Sequence, residues 1–389
     1  MVTFSFYEND NRVLRYAEAL ADRGDQVEVL ALRRSPDLPR EESLRGVRVV
    51  RLRDRFDKSG RSKLGHLLPV LGFLRVAERW IRRRHAKNRY DLLHIHNMPD
   101  FLVFAAWYPK RKGAKVILDI HDLVPELYAS KFGESGRGLS QKLLLFMEKL
   151  SARFAHRIII ANHLWLERYA TRTGAGDRCM AIINHVDSSV FRPVPAGSNG
   201  HGDRKIILFP GGLQWHQGVD IAIQAFQHVR TALPNAEFHI YGDGIARPEL
   251  QRQAEQLGLD GSVRFFEPRP LHEIAKVMAE ADLGVVPKRA DSFGNEAYST
   301  KIMEFMAAGV PVVISKTKVD RYYFDDSVVR FFDSGDHEAL AEQMLALLTD
   351  ETARREQTTR ALRYVEEHCW QRRRDDYLRL VDSLLEEEK

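Results

Sequence analysis

Cysteine is nearly absent from this 389-residue chain, with Cys179 and Cys369 the only two. They offer no disulfide framework, which argues against a small stapled secreted fold and fits a reducing compartment. No stretch reaches the ~18 apolar residues of a membrane span. The opening MVTFSFYEND lacks the basic segment and long apolar core of a signal peptide. A cytoplasmic protein is therefore expected. Nucleotide motifs are missing too. No G-x-G-x-x-G follows the first strand of either half, which counts against a nicotinamide dinucleotide, and no G-x-x-x-x-G-K-[ST] marks a Walker-type nucleotidase. There is no D-x-D to hold a metal–diphosphate and no recognisable nucleic-acid module.

What is present is ordinary in bulk: 44% hydrophobic residues, 25 glycines and 15 prolines. The length exceeds one ordinary core, so two domains are expected. The net charge of +5 is unevenly spread: residues 45–90 carry 15 lysines and arginines against only Asp54, Asp57 and Glu78. Such a split points to an anionic partner, and a membrane surface suits it better than nucleic acid. Within it, LGHLLPVLGFLRVAERWIRRR (64–84) reads equally as a helix lying on anionic lipid or as a core helix with a solvated basic face.

Strand and helix patterns alternate along the chain. VTFSF, QVEVLAL, RVVRL, DLLHIH, KVILDI and RIIIA read as strands, with the helix VLRYAEALADR capped by Asp10 or Asn11 and ended by Gly24. RPVPAGSNGHGDRK (192–205) is the best linker. After it come strands KIILFP, EFHIY, VRFF, DLGVVP and PVVIS with helices between them, and YLRLVDSLLEEE closes the chain as an amphipathic helix. This is an α/β chain of two Rossmann-like, doubly wound parallel-sheet domains: 1–193, rejoined by about 371–389, and 204–370. Two such domains place a cleft at their strand carboxyl ends, where ligands of these sheets bind.

The residues following those strands carry the chemistry. Gly211 and Gly212 follow KIILFP, and Gly242, Asp243 and Gly244 follow the next strand. Glycines between strand and helix let backbone N–H groups approach an anion, though a plain tight turn fits as well. In NEAYSTKIMEFMAAGVPVVIS, Glu296 lies in a loop, Tyr298, Ser299 and Thr300 lead into a helix, and Lys301 occupies its first turn. Glu304 follows three residues later on nearly the same edge. Carboxylate, cation, carboxylate would match sugar hydroxyls, a diphosphate and ribose hydroxyls; the plainer alternative is a Lys301–Glu304 surface pair.

Glu296-x7-Glu304 followed by FMAAGVPVV resembles the signature of the retaining nucleotide-sugar glycosyltransferases of the two-Rossmann-domain (GT-B) type, family 4. GGLQWHQGVDIAIQAF, HIYGDG and VRFFEPRPLHEI match other landmarks of that family in order, and the resemblance spans almost the whole chain. It implies that Glu296 contacts the donor sugar, Glu304 the ribose, and Arg269 in FFEPRP the base. YDLLHIHNMPDF and LDIHDLVPELY resemble its acceptor half, which implies an active-site His121 and acceptor contacts from Asn11, Arg12, His96, Asn97 and Asp122. His94, His96, His121 and Asp122 also invite a metal reading, but the resemblance implies an enzyme without a bound cation.

Two departures stand out. FYENDNRV replaces the family's opening glycine-rich loop, and Gly212 and Gln217 occupy positions where the family commonly has Arg and Lys. Lys301, helped by helix-start amides and His216, is then the remaining group to neutralise the donor diphosphate. The expected activity is retaining transfer of a sugar from a nucleotide diphosphate, UDP foremost, to a lipid-linked or surface-polysaccharide precursor, with no further cofactor, at the inner face of the cell membrane. The rival readings are a GT-B nucleotide-sugar epimerase or phosphorylase and a non-catalytic nucleotide-sugar-binding scaffold.

Overall fold

The structure is a computed structural model that describes residues 1–54, 63–132, 138–194 and 202–386. The chain divides into two units, Met1–Asn184 with Arg374–Lys389, and His185–Arg373. The linker stretch at 192–205 lies inside the second unit, and its residues 195–201 fall outside the described residues.

The first unit has strands β1 (Glu28–Arg33), β2 (Glu41–Leu44), β3 (Val47–Asp54), β4 (Leu92–His96), β5 (Lys115–Ile120), β6 (Arg157–Ile160) and β7 (Cys179–Ala181). β4 to β7 lie side by side and parallel, as do β1 and β3. VTFSF shrinks to one residue of ladder: Val2 bridges Leu30 and Ile95 in parallel fashion. Its N–H donates to His94 O at 3.0 Å and its carbonyl accepts from His96 N at 2.9 Å, after which the chain bends into a short 3₁₀ turn at Tyr7–Asn9. The antiparallel edge strand β2 has no apolar run, since its residues alternate between exposed and half-buried. The helix Asn11–Arg23 starts where Asp10 accepts from Val13 N and stops at Gly24, whose φ is 100°.

The second unit holds one six-stranded sheet, in the order β10-β9-β8-β11-β12-β13, parallel throughout. The strands are β8 (Lys205–Pro210), β9 (Ala236–Tyr241), β10 (Val263–Phe266), β11 (Leu283–Val286), β12 (Val312–Ser315) and β13 (Arg330–Phe332). Alternation along β8 explains its unbroken apolar sequence: Ile207 and Phe209 enter one core cluster and Leu208 the other. β13 and the helices His337–Thr349 and Glu351–His368 complete the sheet and its cover. The strand order reverses at β8, between β9 and β11, so the carboxyl ends of β8 and β11 open onto a topological switch point.

The loop between β11 and the helix Thr300–Ala307, which carries Glu296, is pinned from beneath. The Lys288 ammonium donates to Ala297 O at 2.6 Å and pairs with Asp320 at 2.9 Å, both side chains being almost fully buried. Thr317 Oγ1 donates to the same carboxylate at 2.7 Å, and Asn295 accepts from Lys318 N and Val319 N. Breaking such a buried pair leaves an uncompensated charge. Lys288→Met is expected to cost the protein about 3–5 kcal/mol in urea unfolding, and adding Asp320→Leu should recover most of it. A loss below about 1 kcal/mol in the single variant would show that the pair does not hold this loop.

Candidate active site

In the second unit the glycine turns fold against one another. Gly211 (φ 144°) donates its N–H to Tyr241 O, and Gly242 (φ 154°) donates to Phe266 O. A Cβ on Gly242 would stand 1.8 Å from Gly211 O, so glycine is required there for backbone packing. The Gly244 N–H goes to the carboxylate of Asp243, an exposed residue. Of these four glycines only Gly212 keeps an N–H without a partner among the described residues. The anion-cradling role read from the sequence thus narrows to Gly212 and the helix start.

Lys301 leans back from that helix start over the loop. Its ammonium lies 4.7 Å from the centre of the Phe209 ring and donates to Gln217 Oε1 at 2.7 Å. The Gln217 amide in turn donates to His216 Nε2 at 3.0 Å, and the His216 ring meets Phe293 edge-on at 5.5 Å. Burial pulls the Lys301 pKa down to about 8, against the upward pull of Glu304. Lys301 thus gives one of its three N–H groups to Gln217, and Glu304 pulls electrostatically on the same ammonium. The sequence positions that lack the family's Arg and Lys therefore have a cation delivered to them from 84 residues away.

Glu296 is 8% exposed at the end of the pinned loop, and Glu304 is half-buried one turn beyond Lys301. Ser299 stands at the N-cap without a side-chain bond, and Thr300 opens the helix. Tyr298 turns its ring into an aromatic group with Tyr323 and Phe324, so only its backbone faces the turn. Arg269 pairs at the surface with Glu273, beyond the stacked rings of Tyr241 and Phe266. The sequence reading missed Arg289, which makes two bonds to Asp220 (3.1 and 2.6 Å) and covers the Trp215 ring at 4.4 Å. Its signal was the pair Lys288-Arg289 directly after the strand DLGVVP.

In the first unit the polar residues converge on Asp119, which the sequence reading passed over as part of an apolar strand. Arg12 grips both its oxygens at 2.8 Å and reaches Asn184 at 2.9 Å. His96 Nδ1 and His121 Nε2 approach Asp119 Oδ2 at 3.0 and 3.1 Å. Burial alone would raise the Asp119 pKa, yet Arg12 and His121 hold it well below the ordinary carboxylate range. Burial opposes a charged His121, but Asp119 and Asp10 outweigh it and raise its pKa. His94 and His96 are shifted the other way, chiefly by burial.

Asn97 braces the loop after β5. Its carbonyl accepts from His121 N at 2.8 Å while its amide donates to Asp100 and to Asp122 O. Asn11 is half-buried at the first turn of its helix, where its carbonyl accepts from Arg15. Arg12, His96 and Asn97 are thus occupied within the protein, and His121, with its side chain one-fifth exposed, is the group of this cluster that reaches solvent. The donor atoms of His94, His96 and Asp119 lie within 4.8 Å of one another. A divalent cation there would meet the Arg12 guanidinium on the same carboxylate, and His94 Nδ1 already bonds Tyr377 at 3.0 Å. Arg12 thus already neutralises the carboxylate of this set.

Comparison with known proteins bears on both units. Residues 10–185 match the glycosyl transferase 4-like domain, and residues 195–363 match the glycosyl transferases group 1 family. The D-inositol 3-phosphate glycosyltransferase of Thermomonospora curvata is 28% identical, covering 88% of this chain and 83% of its own. The phosphatidyl-myo-inositol mannosyltransferase of Mycobacterium leprae is 26% identical over 92% and 88%. Among solved structures, sucrose-phosphate synthase from Thermosynechococcus elongatus superposes with a TM-score of 0.76 at 19% identity, over 96% of this chain and 92% of that one. HepE from Anabaena, solved in complex with UDP, gives 0.73 at 17% identity, over 98% and 99%. Both halves, matched in order by these two families, place the chain among the family 4 glycosyltransferases of the GT-B fold.

Proposed function

We propose that this glycosyltransferase moves a sugar from a nucleotide-diphosphate-sugar, a UDP-sugar foremost, to an acceptor hydroxyl, with retention of configuration and without a metal. The observation that carries the reading is the Lys301 ammonium, held beside the Gly211 turn and at the start of a helix whose first N–H groups lack a side-chain cap. A cation and free amides in one place suit a diphosphate that gains charge as the glycosidic bond breaks. Glu296 then meets the donor sugar and Glu304 the ribose. The departing phosphate oxygen takes the acceptor proton on the same face of the sugar, while His121 stabilises the sugar without a covalent intermediate. HepE, a fold relative solved with UDP, supports the choice of nucleotide.

Donor binding should carry the signature of that lysine. The protonated form does the clamping, so donor affinity is full below about pH 8 and falls as pH rises past it. The fall approaches about tenfold per pH unit. Titration calorimetry with UDP and UDP-glucose across pH 7 to 10 reads this directly. Lys301→Ala should flatten the profile and slow turnover by about 100-fold or more. Unchanged affinity and rate in that variant would sink the clamp, and release of no nucleotide from any sugar donor would favour the scaffold reading.

One named relative acts on the lipid phosphatidyl-myo-inositol, which supports a lipid-linked acceptor, and another on the lipid-free D-inositol 3-phosphate. Among the described residues no helix is long and apolar enough to cross a membrane. The helix Lys63–Lys87 combines both readings of its sequence. Phe73, Ala77 and Ile81 are buried at helical spacing, Arg75, Arg79, Arg82 and Arg83 are exposed, and Leu67 and Leu68 stand out near its start. Residues 55–62 of the basic region lie outside the described residues. Leu139, Leu143 and Phe146 form a second exposed apolar stripe on the helix Leu139–Phe154, beside the exposed Lys142 and Lys149. Apolar tips among cations suit an anionic bilayer surface. The protein should float with phosphatidylglycerol vesicles and stay behind with phosphatidylcholine alone, and Leu143→Glu with Phe146→Glu should weaken flotation. Equal behaviour with both lipids would remove the membrane from this account.

A further inference from the structure

Resting on the assignment of His121 to the donor sugar, we infer that Asp119 is a positioning residue that fixes His121 as its Nε2–H tautomer. In the neutral ring, Nδ1 then meets a substrate hydroxyl as a hydrogen-bond acceptor.

The argument starts from Asp119. Arg12 donates through Nε to Oδ2 and through Nη2 to Oδ1, so the carboxylate is ionised and offers lone pairs only. His121 Nε2 has two polar neighbours, Asp119 Oδ2 and His96 Nδ1, both at 3.1 Å. Without a proton on Nε2, two lone pairs would face each other across 3.1 Å at Asp119. The one remaining donor, His96, would then have to give up its 3.0 Å bond to the same carboxylate.

With the proton on Nε2 both imidazole contacts to Asp119 are satisfied, and the 3.1 Å approach of His121 Nε2 to His96 Nδ1 is that of two N–H groups aimed at the same carboxylate oxygen. His121 and His96 both donate to Asp119, and the buried, unpartnered Nε2 of His96 is then a bare lone pair. That costs less than a buried N–H with nowhere to go. If His121 instead shares its proton with His96 Nδ1, its own Nδ1 is still bare. Nδ1 of His121 has no partner among the described residues, and the side chain is 20% exposed. Backbone geometry reinforces the pose, since His121 N is held by Asn97 at 2.8 Å. Burial favours the neutral ring, Asp119 and Asp10 the charged one, and the carboxylates prevail; above that raised pKa, a ring so presented accepts from a hydroxyl and offers no hydrogen to a phosphate or carboxylate oxygen. In that state the atom is selective for a sugar alcohol.

Two measurements test this, and the first does not depend on turnover. Long-range proton–nitrogen NMR of the histidine-labelled protein, with His121 assigned from the peak missing in His121→Asn, should show a protonated Nε2 and a bare Nδ1 in the neutral ring. In Asp119→Asn the same resonance should become a mixture of tautomers. The second measurement compares isosteres, because an asparagine amide reaches the place of Nδ1 and a glutamine amide that of Nε2. His121→Asn should keep turnover within about tenfold and His121→Gln should fall about 100-fold. A protonated Nδ1 in the wild-type spectrum, or a glutamine variant as active as the asparagine one, would overturn the inference. If Asp119→Asn fails to fold, the wild-type spectrum and the isostere pair still decide. An unaffected His121→Ala would instead refute the role of His121 in the reaction while leaving the tautomer to the spectrum.

Discussion

A parallel sheet covered by helices has no wet face, and that constraint organises this molecule. β5, β8 and β11 are buried on both sides, so a polar side chain can work only where a strand ends or where another charge meets it inside. The chain uses both options. Gly211, Lys288 and His121 stand at strand ends. Asp119 lies within its strand, with a burial that the Arg12 guanidinium and His121 make tolerable. The buried ions are thus not decoration on an apolar frame. Each fixes a loop or a ring that would otherwise be free to reorient.

The two units solve the problem of holding charge differently. Around Asp119 a single carboxylate collects an arginine and two imidazoles, and the whole group is anchored on a strand flanked by two others. Around Lys301 the cation donates to a neutral amide while burial pulls its pKa down against Glu304. An ammonium whose pKa burial lowers is a poor stabiliser of the fold and a group that a bound anion would favour. Burial of Lys288 against Asp320 is the structural counterpart, with its charge fully spent.

Local chemistry was legible in the sequence, and distant pairing was not. Apolar runs such as KVILDI and KIILFP announced buried strands, and Gly24 marked the end of its helix. The spacing of Glu296, Lys301 and Glu304 brought out the donor candidates. β2 escaped because an exposed edge strand needs no apolar run, and VTFSF misled because its ladder lasts only through Val2. Asp119 escaped for a different reason. Its meaning comes from Arg12, 107 residues away, and no period or spacing encodes such a contact. The link from Lys301 to Gln217 is of the same kind, although the missing arginine and lysine in that loop had already posed the question it answers.

The closing helix, Trp370–Glu386, leaves the second unit and adds its last turns to the first. There Tyr377 stacks on Tyr16 at 4.2 Å and bonds His94, one strand away from Asp119. A nascent chain therefore cannot finish its first-made half when that half leaves the ribosome. The layer behind the histidines waits until the helix of Tyr377 has been translated, so the first unit is begun before the second and completed after it. Assembly order thus makes synthesis through that helix a precondition for a fully packed histidine cluster.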